Sequence, residues 1–68
     1  MTTQEALSAV RTATHDYLAA VQTNALDKDE VEWLDWLRMR SVERAREIGL
    51  EYPAVKKAIV EGILEAAA

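Results

Sequence analysis

The chain has 68 residues, half of them apolar, with 12 acidic and 8 basic side chains and a net charge of −4. That length allows one domain and excludes a large core, and the apolar content excludes a chain disordered by composition. The absence of cysteine excludes a disulfide or a thiolate metal site, while two Gly, one Pro and no Phe suit helices better than a turn-rich β-fold.

The charge is segregated. Residues 1–37 carry two basic and seven acidic side chains, residues 38–57 six basic and three acidic, and residues 58–68 add Glu61 and Glu65. The middle is therefore locally basic inside an acidic protein. No apolar run approaches the roughly 18–20 residues of a membrane span. The opening Met1, Thr2, Thr3, Gln4 and Glu5 lacks the basic start and apolar block of a signal peptide. These features predict a cytoplasmic protein with no membrane association.

Thr2 and Glu5 have the spacing of a capping box, in which side chains satisfy the exposed amides at a helix start. The predicted first helix covers about 3–22. Leu7, Val10, Thr14, Tyr17, Leu18 and Val21 fall on one face, in the three-four rhythm of packed helices. Ala6, Ala9, Ala13 and Ala20 flank that face and permit close helix approach. Residues 23–25 read as a short connection, which sets the first two helices antiparallel.

Asp27 and Glu30 form a second capping box, with Leu26 and Val31 as a hydrophobic staple across it. The acids at 27, 29, 30 and 32 complement the positive end of the helix dipole. The second helix is predicted over 28–48, with Val31, Leu34, Leu37, Ser41, Val42, Ala45 and Ile48 on its core face. Gly49 can take the left-handed conformation that stops a helix, and Pro53 suits the first turn of the next. The third helix is predicted over 53–65, with Val55, Ala58, Ile59, Gly62, Ile63 and Ala66 inward and a fraying alanine tail.

Three helices this small hold a modest core, so apolar residues off the inner faces point to a partner. Trp33 lies at the margin of the second helix's core face, and Trp36 points nearly the opposite way. Val60 and Leu64, four apart, form a second apolar strip on the third helix. A plain reading lays Trp36 on the surface under Arg40 as a cation–π pair. The stronger reading takes Trp33, Trp36, Arg40, Val60 and Leu64 as a protein interface, because Trp dominates interface energies. Arg38, Arg40 and Arg44 would select an acidic partner at its rim.

Catalysis finds no foothold. His15, the one histidine, sits at the edge of a core face beside Asp16, and no nucleophile, base and orienter share a pattern. The acidic run 27–35 lacks the glycine and alternating ligands of an EF-hand loop, and helix capping explains it. No Glu-x-x-His pair suggests a dinuclear carboxylate site. The expectation is no enzyme, no cofactor, no metal and no small-molecule substrate.

Ala45, Gly49, Leu50 and Val55 have the spacing of a helix-turn-helix corner, and residues 44–59 resemble that motif. The resemblance implies DNA binding, with Tyr52, Lys56 and Lys57 in the major groove and Arg44 and Arg46 near phosphates. Against it stand Glu51 at the approach to the phosphates and a pI of about 4.8.

Met1, Thr2, Gln4, Glu5, Leu7, Ala9, Arg11, Ala13, His15 and Asp16 form a gapless stretch that resembles the opening helix of the head–tail joining protein W of phage lambda. In that family a small basic β-hairpin follows, whereas here 27–48 reads as continuous helix. The resemblance therefore implies phage origin and an assembly role, in host cytoplasm or virion, and not the family's fold.

Together these features predict one all-α domain over 1–68. It is an antiparallel helical hairpin with a third helix packed across it or paired with a second copy. It is expected to form oligomers and to act by binding protein, with nucleic acid as the alternative. The predicted core is Leu7, Val10, Tyr17, Leu18, Val21, Val31, Leu34, Leu37, Val42, Ala45, Ile48, Val55, Ile59 and Ile63.

Overall fold

The computed structural model of the protein describes residues 2–23 and 27–68. Three helices follow one another, α1 (Thr3–Thr23), α2 (Lys28–Glu47) and α3 (Tyr52–Ala67), with no strand among the described residues. The chain is a small all-α protein, and its helix ends follow local rules.

At the start of α1 the Glu5 amide donates to Thr2 Oγ1 at 3.1 Å. The Thr2 hydroxyl in turn donates to the Glu5 carboxylate at 3.0 Å, which closes the box through the side chain. Asp27, in an extended conformation, accepts from the Glu30 amide at 2.9 Å and caps α2. Asn24, Ala25 and Leu26 lie outside the described residues, and with them most of the predicted connection and one half of the Leu26–Val31 staple.

α2 ends at Glu47, one residue earlier than the sequence predicts. Gly49 has φ +96°, its amide donates to the Arg46 carbonyl at 3.0 Å, and the Leu50 amide donates to the Ala45 carbonyl at 3.1 Å. These two bonds make a Schellman motif, and Leu50 and Ala45 at its ends both pack into the core. α3 starts at Tyr52, one residue early. Pro53 sits in its first turn, where a missing N–H leaves no bond unmade. The helix runs on through Ala67, so most of the tail expected to fray is helical.

α1 packs against both other helices, while α2 and α3 meet only sparsely. Ala6 shares a groove with Arg44, and Ala13 and Asp16 share one with Leu34, so α2 runs antiparallel to α1. Leu7 lies beside Ala54 and Ala58, and Arg11 pairs with Glu61 at 3.6 Å and Glu65 at 3.8 Å, so α3 runs parallel to α1. The Cα trace spans 35 × 24 × 16 Å, its long dimension close to the length of the 21-residue α1 at about 1.5 Å per residue. The third helix therefore packs on α1, with little contact to α2 outside the corner that joins them.

The core gathers where the α2–α3 corner closes over the first half of α1. Ala6, Val10, Ala45, Val55 and Ala58 are buried there, with Leu7, Val42, Leu50 and Ile59 packed against them. Three predicted core residues are exposed instead: Val21, Ile48 and Ile63. Val21 sits in the last turn of α1, far from the corner. Ile48 is the C-cap, where the helical phase ends, and Leu50 takes the inward seat after the Gly49 turn. α3 meets α1 along Val55, Ala58 and Gly62, all buried, and Ile63 is rotated off that line.

Gly62 sets how closely α3 approaches. A Cβ there would lie 2.6 Å from the Arg11 carbonyl oxygen and 2.8 Å from Thr14 Cβ. Thr14 is itself buried, with its hydroxyl donating to the Val10 carbonyl at 2.8 Å.

Gly62→Ala should lower stability by about 1–2 kcal/mol in urea denaturation, because backbone overlap outweighs a helix-propensity gain of up to about 1 kcal/mol. Adding Thr14→Ala should not restore it, since the nearest obstacle is a backbone oxygen. Gly49→Ala should also cost about 1–2 kcal/mol, through the positive φ alone, as no atom lies within 4 Å of its added Cβ. Unchanged stability in either glycine variant contradicts the corresponding constraint.

Candidate interaction surface

The outer half of α2 carries the most exposed aromatic surface. Trp33 is 57% exposed and Trp36 52%. Spaced three apart on a helix they are neighbours, and their rings stack with centroids 5.2 Å apart and planes 12° from parallel. Helical phase alone sets them on different sides of α2; the structure joins them in one aromatic ledge. The stack covers one face of each ring, and both side chains stay more than half exposed.

Arg40 does not cover Trp36. Its guanidinium pairs with Glu43 at 3.2 Å and Glu47 at 3.4 Å. The cation–π contact of α2 is Arg38 over Tyr17 of α1, at 5.3 Å from the ring centroid. Arg38 also donates two hydrogen bonds to Asp35, at 2.7 and 3.1 Å. Arg38 is thus held against the body of the protein, and Arg40 and Arg44 are the rim arginines that remain on the Trp side.

Beside the ledge a groove runs between α1 and α2. One stretch, of about 310 Å³, is lined by Ala9, Ala13, Leu34 and Leu37 and flanked by Thr12 and Asp16. A smaller stretch, of about 140 Å³, continues past Ala6 to Arg40 and Arg44. The two share Ala9, Leu37 and Ser41, so they form one channel. Trp33, Leu37, Arg40 and Arg44 recur at i, i+4, i+7 and i+11 on α2, which places Trp33 on the continuation of the same rim. Leu34 and Leu37, core positions by helical phase, are half-buried. Alanines on the facing side of α1 leave these leucines only partly covered. The alanine stripe of α1, which permits close helix approach, is also the sequence signal for this groove.

Val60, 42% exposed, and Leu64, 64% exposed, lie on α3 about half a turn from Gly62, so they face away from α1. They form a strip separate from the tryptophans, on a helix that meets α2 only sparsely. Tyr52, Lys56 and Lys57 are exposed in the first turns of α3, and Arg44 and Arg46 are exposed in the last turn of α2. His15 lies beside Asp16, with Nδ1 3.1 Å from Oδ1. Among the described residues, no three His, Asp or Glu side chains converge to hold a metal ion, and no helix is long and apolar enough to cross a membrane. The chain matches no protein-family model, no curated protein and no solved structure.

The stacked indoles should give an exciton couplet in far-UV circular dichroism. Trp33→Ala or Trp36→Ala should each abolish it while lowering stability by about 1 kcal/mol or less. Survival of the couplet in either variant rules out the stack in solution.

Proposed function

We propose that this protein is a non-catalytic helical module that docks another protein chain on the Trp33–Trp36 side of α2. The observation that carries the reading is the ledge itself: two large rings, each more than half exposed, pre-stacked on a helix and bordered by an apolar groove. A rigid aromatic pair loses little conformational freedom when a partner covers it, and desolvated Trp is the commonest interface anchor. Arg40 and Arg44 at the far end of the groove favour acidic groups on the partner, exchanging the exposed Glu43 and Glu47 contacts of Arg40 for intermolecular ones. Val60 and Leu64 offer a second, smaller apolar strip on α3. The likeness of the opening helix to the W family supports a phage-assembly setting for this docking.

A benzophenone amino acid at position 32, beside the ledge, tests the reading in the cells that make the protein. Irradiation should give covalent protein adducts that vanish when Trp33→Ala and Trp36→Ala are added. No adduct, or adducts indifferent to both tryptophans, overturns the proposal.

One observation favours a second reading, contact with DNA through the α2–α3 corner. Ala45 and Val55 are fully buried around the Gly49 turn, as a helix-turn-helix requires, and Tyr52, Lys56 and Lys57 are open to solvent. That reading expects a salt-sensitive mobility shift with duplex DNA, weakened in Lys56→Ala/Lys57→Ala. The absence of a shift at low salt removes it.

A further inference from the structure

The outer face of α2, which carries the aromatic ledge, has a charge of its own. At about 100° per residue, Asp29, Glu32, Glu43 and Glu47 fall within about 40° of Trp36, opposite the buried Ala45. All four are exposed. Arg40 is the one basic residue in that arc; Lys28, Arg38, Arg44 and Arg46 lie outside it. On this face alone, four carboxylates stand against one guanidinium, a net of −3. Arg40 is already shared between Glu43 and Glu47, on the C-terminal side of the rings. The N-terminal side is acidic throughout. Asp29 precedes Trp33 by four residues, and Glu32 precedes Trp36 by four, so each indole has a carboxylate as its helical neighbour. Helical side chains lean toward the N-terminus, which tilts both rings toward these acids. Asp29 lies in the first turn and also favours the helix start, but Glu32 lies beyond that turn. Lys28 reaches Glu32 only at 4.0 Å, with both side chains well exposed, so that pair is readily given up.

We infer that the partner lays an arginine of a basic segment on the open indole surface, with Asp29 and Glu32 accepting from its guanidinium. This rests on the docking reading above and names the chemistry of the partner at the ledge; acidic groups on the same partner meet Arg44 at the far end of the groove. The geometry of the stack selects arginine. The two rings are within 12° of parallel, so they present flat faces and no converging cage for a rounded ammonium group. A planar guanidinium stacks on a flat indole and turns its N–H edge toward neighbouring carboxylates, and it is more weakly hydrated than a lysine ammonium. Exposed indoles could also stack on nucleobases, but the surrounding carboxylates repel phosphate and set nucleic acid aside at this face.

Trp33 and Trp36 are the two tryptophans of the chain, so intrinsic fluorescence reports the ledge alone. The probe is a capped peptide of alternating arginine and glycine, titrated into the full chain at low ionic strength. It should give a saturable change in emission. The lysine–glycine peptide should bind about threefold or more weakly, and the citrulline–glycine peptide, similar in shape but uncharged, should give no saturable change. Asp29→Asn/Glu32→Gln should weaken the arginine peptide about fivefold or more, with helical circular dichroism retained. Glu61→Gln/Glu65→Gln removes the same charge from α3 and should leave binding within about twofold. Equal weakening by the two variant pairs shows attraction to net charge alone and overturns the inference. Lysine or citrulline peptides that bind as tightly as arginine overturn it too, as does the lack of any saturable change. If the peptide result fails while the position 32 adducts still require both tryptophans, docking stands and only the arginine assignment falls. If those adducts fail, the docking reading falls and this inference falls with it.

Discussion

The whole arrangement depends on how close α1 lets its neighbours come. Gly62 presses against the Arg11 carbonyl and Thr14 on one flank, and Ala6 and Ala20 are buried in the helix that forms the other side of the contact. Close approach between small residues gains dispersion contacts and backbone proximity, but it leaves little volume for large side chains between helices. The largest fully buried side chains are accordingly Val10 and Val55. Leu, Ile and Trp, which would fill a wider space, are pushed to the margins or the outside. The exposed apolar surface is therefore a consequence of the packing and not an accident of composition.

The order of the helices compounds this. α1 is flanked on two sides and α2 and α3 scarcely touch, so each outer helix has one inward line of contact. A three-helix bundle with every pair in contact would give each helix two buried sides. Here the corner alone behaves in that way, because the Schellman turn at Gly49 folds Leu50 back onto Ala45 and brings Val55 into the same cluster. Away from the corner the helices part, and Val21 and Ile63 are left in solvent. Ion pairs from Arg11 to Glu61 and Glu65 mark the register of α3 on α1. They are exposed, and each contributes at most about 1 kcal/mol.

What could be read from the sequence was what neighbouring residues decide. Thr2, Asp27 and Gly49 act through amides and carbonyls a few positions away, so their roles and the helix ends they fix were visible without a structure. The placement of α3 was not. Periodicity identifies an apolar face but does not say which helix will cover it, and Ile63 and Val55 look equivalent on that measure. The tryptophans show a related limit. Helical phase gives the direction of a Cα–Cβ bond, and Trp33 and Trp36 differ by 60° in phase. An indole extends far enough from Cβ to cross that angle, so a pair three apart could have been read as stacked. Arg38 was missed for the same reason: its direction on α2 was plain, but its contact with Tyr17 depends on where α1 lies.

The stack also alters what the surface is able to do. Two separate tryptophans on an exposed helix would each sample several rotamers, and a partner would have to fix both. Packed face to face they restrict one another, so much of that ordering is complete before any contact is made. The neighbouring arginine, Arg40, is held by two glutamates on its own helix at modest distances and in water, so releasing it costs little. The groove between them is apolar and shallow, shaped by alanines on one wall and leucines on the other. A rigid aromatic edge, a loosely held cation and an apolar floor lie in sequence along one face. This gives the surface both a direction and a polarity, which a scatter of exposed hydrophobic side chains would lack.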